Sequence, residues 1–168
     1  MKLQIDKFII GDNRTFVIAE IGNNHNGSFD SAIDLIDQAY ESGADCAKFQ
    51  SFISEKIVSA KGFSKMNLKG VHGTWDKSVS EVFKEVEFPR EWHKEIKDYC
   101  DNIGIDFSTS PYDFEAVDLC EKLDLPFIKI GSGEITWLEM IDYVSKKNIP
   151  IIMATGDASL SEIDEAVN

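Results

Sequence analysis

Short apolar runs alternate along the chain with longer segments in which apolar residues recur every three or four positions. Phe16-Val17-Ile18-Ala19 is a run of strand character, closed by Glu20-Ile21-Gly22. A polar loop, Asn23-Asn24-His25-Asn26-Gly27, follows. Phe29, Ala32, Ile33, Ile36 and Tyr40 then keep helical spacing, and Gly43 stops that helix. Asp45-Cys46-Ala47-Lys48-Phe49-Gln50 reads as a second strand. Residues 51–75 are irregular and Lys-rich, too long for an idle connection, which points to a functional loop. Val79, Val82, Phe83 and Val86 mark a short helix. Pro89 suits the first turn of the next, with Trp92, Ile96, Tyr99, Cys100 and Ile103 on one face and Gly104 as its stop.

The alternation continues. Residues 105–110 form a third strand, and Phe114, Val117 and Cys120 give its helix. Pro126 opens a fourth strand over 127–130 that ends in Gly131-Ser132-Gly133-Glu134, and Leu138, Ile141 and Val144 mark another helix. Pro150 opens a fifth strand over 151–154, ending at Thr155-Gly156. Ser159 with Glu162 three residues on is a capping box, and Leu160, Ile163 and Val167 start a last helix. Near-continuous apolar strands separated by helices predict a parallel sheet covered by helices, either doubly wound or a (β/α)8 barrel. No Gly-x-Gly-x-x-Gly opens the first helix, which lowers the dinucleotide-binding version. Asn168 falls in a helix that has only begun. About five β/α units are present where a barrel has eight, so the expectation is one domain over 1–168: the truncated front of a TIM-type barrel. Open strand edges then predict poor solubility or partner-dependent stability.

Composition narrows the class. No apolar stretch approaches the ~20 residues of a membrane span, and Asp6 and Lys7 interrupt the first apolar segment, against a signal peptide. The expectation is a cytoplasmic protein. Asn13-Arg14-Thr15 and Asn26-Gly27-Ser28 match the glycosylation pattern but carry no meaning without secretion. The net charge of −13, from 17 basic against 30 acidic residues, argues against nucleic acid or an anionic membrane as partner. Cys46, Cys100 and Cys120 form no CxxC pair and are expected to be buried thiols.

The chemistry concentrates at strand ends, where parallel α/β folds place their sites. Glu20 ends the first strand. Lys48 and Gln50 share one face of the second. Ser108, Thr109 and Ser110 end the third, and Lys129, Ser132 and Glu134 belong to the fourth. A buried ammonium needs a partner. Ion pairs Glu20–Lys48 or Lys129–Glu134 would supply one; a phosphate or carboxylate held by both lysines, Ser132 and glycine-flanked amides would supply another. A Schiff-base lysine at 129 stays open. Glu20 and Glu134 are suited to hold sugar hydroxyls or move protons. His25 sits near the mouth with no second His or Cys beside it. His72 and His93 read as surface residues. No complete metal site is present in the sequence.

Taken in series, the segment from Ala19 to Gly27, Lys48-Phe49-Gln50, Ser110-Pro111-Tyr112-Asp113, the segment from Lys129 to Glu134 and Ala154-Thr155-Gly156 resemble the sialic acid synthase family. The resemblance implies a barrel that condenses phosphoenolpyruvate with an N-acetylated hexose aldehyde, N-acetylmannosamine or a relative, to a nonulosonic acid and phosphate in polysaccharide biosynthesis. It implies a divalent metal, Mn or Mg, as Lewis acid, with histidine ligands on later strands beyond residue 168, and a homodimer when full length. It assigns Lys48, Lys129 and Ser132 to phosphoenolpyruvate, Thr155 and Gly156 to phosphate, and Glu20, Gln50 and Glu134 to the sugar or its reacting oxygen. Glu20, Glu134 and Lys129 are thus the catalytic candidates. Ala154 stands where the family has a serine. Asn67 is the candidate for the sugar-contacting asparagine of the loop after the second strand. On this reading the fragment alone is inactive. The alternative is a non-catalytic incomplete barrel that binds phosphoenolpyruvate or a sugar phosphate, or associates with another chain.

Overall fold

The computed structural model describes residues 3–5, 8–11, 14–66 and 75–168. Asp6, Lys7, Asn13, Asn67 and His72 lie outside them. Two short strands, β1 (Leu3–Ile5) and β2 (Phe8–Ile10), pair antiparallel. β3 (Ile18–Gly22), β4 (Cys46–Ser51), β5 (Asp106–Pro111), β6 (Ile128–Ile130) and β7 (Ile151–Met153) form one parallel sheet in chain order. Such an order has no reversal point, unlike a doubly wound sheet.

The helices are α1 (Phe29–Glu41), α2 (Ser54–Ile57), α3 (Ala60–Phe63), α4 (Val79–Glu85), α5 (Trp92–Ile103), α6 (Phe114–Lys122), α7 (Leu138–Ser145) and α8 (Leu160–Val167). None is long and apolar enough to cross a membrane. Side chains alternate across a strand, so each strand offers two faces. Ala47, Phe49, Phe107, Ile128 and Ile130 point to the face where Ala32 and Ile36 of α1, Ile96 and Cys100 of α5, Val117 of α6 and Val144 of α7 bury with them. Phe49 is fully buried, its ring 4.9 Å from Phe88 and 5.9 Å from Phe107. The opposite face carries Glu20, Lys48, Gln50, Ser108, Ser110 and Lys129. Helices thus pack on one face and polar groups line the other. On that second face, Ile5 of the first hairpin packs with Cys46 and Phe127, against Ile18 and Ile152.

Several expectations change. The first strand lies two residues later than its apolar run suggests, because Phe16 and Val17 precede the ladder: Val17 NH donates to the Asp45 carboxylate at 2.8 Å. Glu20 is therefore inside β3. The initial hairpin has no counterpart in the sequence reading. Within the 51–75 loop, α2 and α3 are short helices, and α4 starts with a capping box of Ser78 and Glu81 like that of Ser159 and Glu162 on α8. The helix after Pro89 begins at Trp92. The three cysteines are buried and free, as expected. Burial pushes the thiols of Cys100 and Cys120 up to about 12.

Candidate functional site

Parallel pairing places the polar face in rows. Glu20, Lys48 and Ser108 are Cα partners on three neighbouring strands, and Gln50 partners Ser110 one row further on. Thr109 pairs with Ile128, which sets Lys129 beside Ser110. Lys48 is buried at 5% exposure. It forms an ion pair with Glu20 and donates to Ser110 Oγ at 3.4 Å. Lys129 Nζ donates to its neighbour's carbonyl, Ile130 O, at 2.8 Å. Of the two ion pairs the sequence offered, Glu20–Lys48 forms, while Lys129 is left with a carbonyl. Burial and the nearby Lys48 ammonium push the Lys129 pKa down, against the pull of Glu20 and Glu134. Two ammonium groups thus face one space, Lys48 paired with Glu20 and Lys129 held by a carbonyl.

β6 leads into a 3-10 turn, Ser132–Glu134, that bends the chain over this space. Ser132 and Glu134 are half-buried. Burial raises the Glu134 pKa, opposed by its own amide, Lys129 and the Gly131 amide. Gly131 has φ −71°, so its need is spatial: a Cβ there would collide with Glu134 Oε2. Gly22 has φ +59° and lies against Glu20 and Gln50; a Cβ there would stand 3.5 Å from Glu20 Oε1. Thr155 and Gly156 follow β7 and are exposed, at the end of the strand beside that of Lys129. No hydrogen bond ties either to the lysines among the described residues.

Tyr112, just past β5, was quoted only as part of a motif. Its hydroxyl lies within 3.8 Å of the Gly131 Cβ position, and burial with the charges of Glu134 and Glu20 pushes it up to about 12. With Gln50 and Glu134 it lines a cleft of ≈ 550 Å³ whose remaining walls are Phe52, Lys56, Ile57, Phe83, Gly133 and Trp137.

Behind the polar face the histidines are not where the sequence suggested. His93 is 1% exposed. Its Nδ1 faces two carbonyls, Pro89 O at 3.1 Å and Arg90 O at 3.2 Å, so Nδ1 carries the proton. Nε2 accepts from the Ser51 hydroxyl at 2.5 Å, and Ser51 Oγ accepts from Thr109 at 2.9 Å. This chain of bonds ties the ends of β4 and β5 to α5. Burial, then the Arg90 charge, pushes the His93 pKa down to about 4. His25 is also fully buried, among Phe49, Phe88 and Trp92. Its Nδ1 accepts from Gly27 NH at 3.1 Å, fixing the loop after β3. Beside His93, Arg90 donates to Asp113 at 2.5 Å, and Asp113 caps α6 through Ala116 NH at 2.8 Å. No group of three or more potential metal-ligating side chains comes together among the described residues.

The family model described as the NeuB family matches residues 35–168. The chain belongs to the NeuB family. The N,N'-diacetyllegionaminic acid synthase of Campylobacter jejuni is 40% identical over 156 residues, 92% of this chain and 46% of that protein. The chain spans about half the length of the curated relatives it matches. The solved N-acetylneuraminic acid synthetase of Leptospira borgpetersenii, in complex with citrate, superposes with a TM-score of 0.84 at 26% identity, covering 99% of this chain and 54% of that one. The Bacillus subtilis spore coat polysaccharide biosynthesis protein spsE gives 0.76 at 33%, covering 99% and 43%. The relatives of this NeuB-family chain are thus synthases of sialic-type acids and proteins of polysaccharide biosynthesis.

Proposed function

We propose that this chain supplies the anion-binding part of a nonulosonic acid synthase, and that its five strands are an arc of a (β/α)8 barrel. The observation that carries the reading is the pair of lysines on one polar face, with Lys129 depressed by burial and by Lys48. A carboxylate and a phosphate placed between them would relieve that repulsion, as phosphoenolpyruvate brings both. Lys48, Lys129 and Ser132 hold it in this reading, with Thr155 and Gly156 at its phosphate. Glu20 positions Lys48. Gln50, Glu20 and Glu134 face the sugar aldehyde.

The methylene carbon of phosphoenolpyruvate attacks the aldehyde carbon. The aldehyde oxygen takes a proton as it becomes a hydroxyl, and Glu134, whose carboxyl burial lifts, holds that proton. Water adds to the cation left at the phosphate-bearing carbon, and phosphate leaves to give the keto acid. The divalent metal, Mn or Mg, belongs to the proposal for the whole synthase. The described residues do not fit it, since His25 is walled in by aromatic rings and His93 is bonded to Ser51, so no step here is routed through it. The partners are phosphoenolpyruvate and an N-acetylated sugar, and the whole protein is proposed as a cytoplasmic homodimer.

The test is synthesis by the intact protein that carries this chain, with phosphoenolpyruvate, N-acetylmannosamine or its diacetamido relative, and Mn²⁺. Phosphate release and keto acid appear together and are lost in Lys129→Ala. Absence of product from every aldose, with phosphoenolpyruvate still bound, moves the chain to the non-catalytic binding reading.

A further inference from the structure

The steps proposed above leave Tyr112 without a role, although the fold aims its hydroxyl at the same space. Tyr112 follows directly on β5, and its amide donates to Ser51 O at 3.0 Å, which carries the β4–β5 pairing one residue beyond the strand. Its ring stands edge-on to that of Phe52, 6.1 Å between centroids at 89°, and Phe52 is itself 2% exposed. Backbone and ring are thus both held, and neither attachment uses the hydroxyl. That oxygen comes within 3.8 Å of the point where a Cβ on Gly131 would stand, the same point that Glu134 Oε2 fills. The missing side chain at 131 is what lets phenol and carboxyl converge. Glu20 Oε1 and Gln50 Nε2 converge in the same way on the Cβ position of Gly22, at 3.5 and 3.6 Å. Among the described residues the Tyr112 hydroxyl has no hydrogen-bond partner, and it is open to the cleft. A half-buried O–H without an acceptor is a donor waiting for one. Burial and the charges of Glu134 and Glu20 push the phenol up to about 12, so it keeps its proton at neutral pH.

We propose that Tyr112 is a further catalytic residue, whose O–H donates a hydrogen bond to the aldehyde oxygen as that oxygen gains negative charge. The inference rests on the condensation reading and adds to it a donor at the reacting centre. As the new carbon–carbon bond forms, the carbonyl π pair moves onto the aldehyde oxygen. That oxygen takes the proton of Glu134, whose O–H bond breaks. Tyr112 keeps its own proton throughout, and its hydrogen bond strengthens as the charge develops. The donor is in place before the reaction starts, because Phe52 and Ser51 hold it there, so no reorganisation is needed when the charge appears.

The test is steady-state kinetics of the intact protein that carries this chain, wild type against Tyr112→Phe, with phosphoenolpyruvate, Mn²⁺ and N-acetylmannosamine or its diacetamido relative. Tyr112→Phe keeps the ring on Phe52 and the amide on Ser51, so its urea midpoint is expected to match that of the wild type. Both kcat and kcat/KM for the sugar are expected to fall ~10²-fold or more, with KM for phosphoenolpyruvate changed less than about twofold. Placing 3-fluorotyrosine at position 112, which restores the hydroxyl, is expected to bring kcat back to within about threefold of the wild type. An unchanged kcat in Tyr112→Phe, a rise in sugar KM alone, a lowered urea midpoint or no rescue by 3-fluorotyrosine overturns the proposal, and the condensation reading stands. Absence of keto acid from the wild type with every aldose overturns the condensation reading itself, and the role of Tyr112 falls with it.

Discussion

Acid should loosen the fold through His93 before it protonates most carboxylates. The side chain is buried and neutral, with its Nδ1 proton given to backbone carbonyls and its Nε2 accepting from Ser51. Its pKa falls from 6.5 to about 4 on folding, so the unfolded chain binds the proton more tightly. Stability from this residue is complete above pH 6.5 and is lost as pH falls toward 4. Linkage gives a loss of about 2 kcal/mol by pH 5 and about 3 kcal/mol by pH 4. That is large beside a typical domain stability of ~5–15 kcal/mol. The assay is urea unfolding from pH 7 to 4 of the wild type and of His93→Gln, which keeps hydrogen-bonding capacity without titrating. The carboxylates and His25 are common to both proteins, so the difference between the two isolates His93. The stability advantage of the wild type should shrink by about 2 kcal/mol between pH 7 and 5. If that difference stays constant within ~0.5 kcal/mol, the buried neutral histidine is not what the acid acts on.

Other perturbations separate site from scaffold. Lys48→Met should lower product formation by ~10³-fold or more while costing only about 1–2 kcal/mol in urea unfolding, because its partner Glu20 is 55% exposed and is not stranded. Gly131→Ala keeps an ordinary φ but drives a methyl into Glu134, so kcat should drop ~10²-fold with a stability change under ~1 kcal/mol. kcat/KM should fall as pH rises through the pKa of Glu134, the proton holder, burial shifting that alkaline limb upward, and Glu134→Gln should abolish the limb. Phe49→Ala should cost ~3–5 kcal/mol by thermal or urea unfolding, since no solvent reaches the space between Phe88 and Phe107.

Strands and helices were legible where one residue type filled one face. The five parallel strands are legible as short apolar runs between helical segments, and their order follows from the alternation with helices. The initial hairpin was not legible: strands of three residues are too short for a periodic signal. His93 was misread, yet its signal was present. His93, Ile96 and Cys100 share the buried face of α5 at spacings of three and four, the spacing used to place its neighbours. The Glu20–Lys48 pair was legible as one of two options, because adjacent strand ends bring such residues together. The Arg90, Asp113 and Lys56 cluster was not, because partners 23 and 57 residues apart leave no local pattern (113 − 90 and 113 − 56).

The row Glu20, Lys48, Ser108 is spaced by the backbone ladder itself, about 4.8 Å per strand. Its ruler is the peptide hydrogen bond, which no substitution short of breaking the sheet can lengthen. On the proposed reading, loops above that row are free to drift in length and composition, and so to change which sugar is accepted, while the spacing of the row itself stays put. A lineage of such synthases can then explore new products over an unchanged polar row.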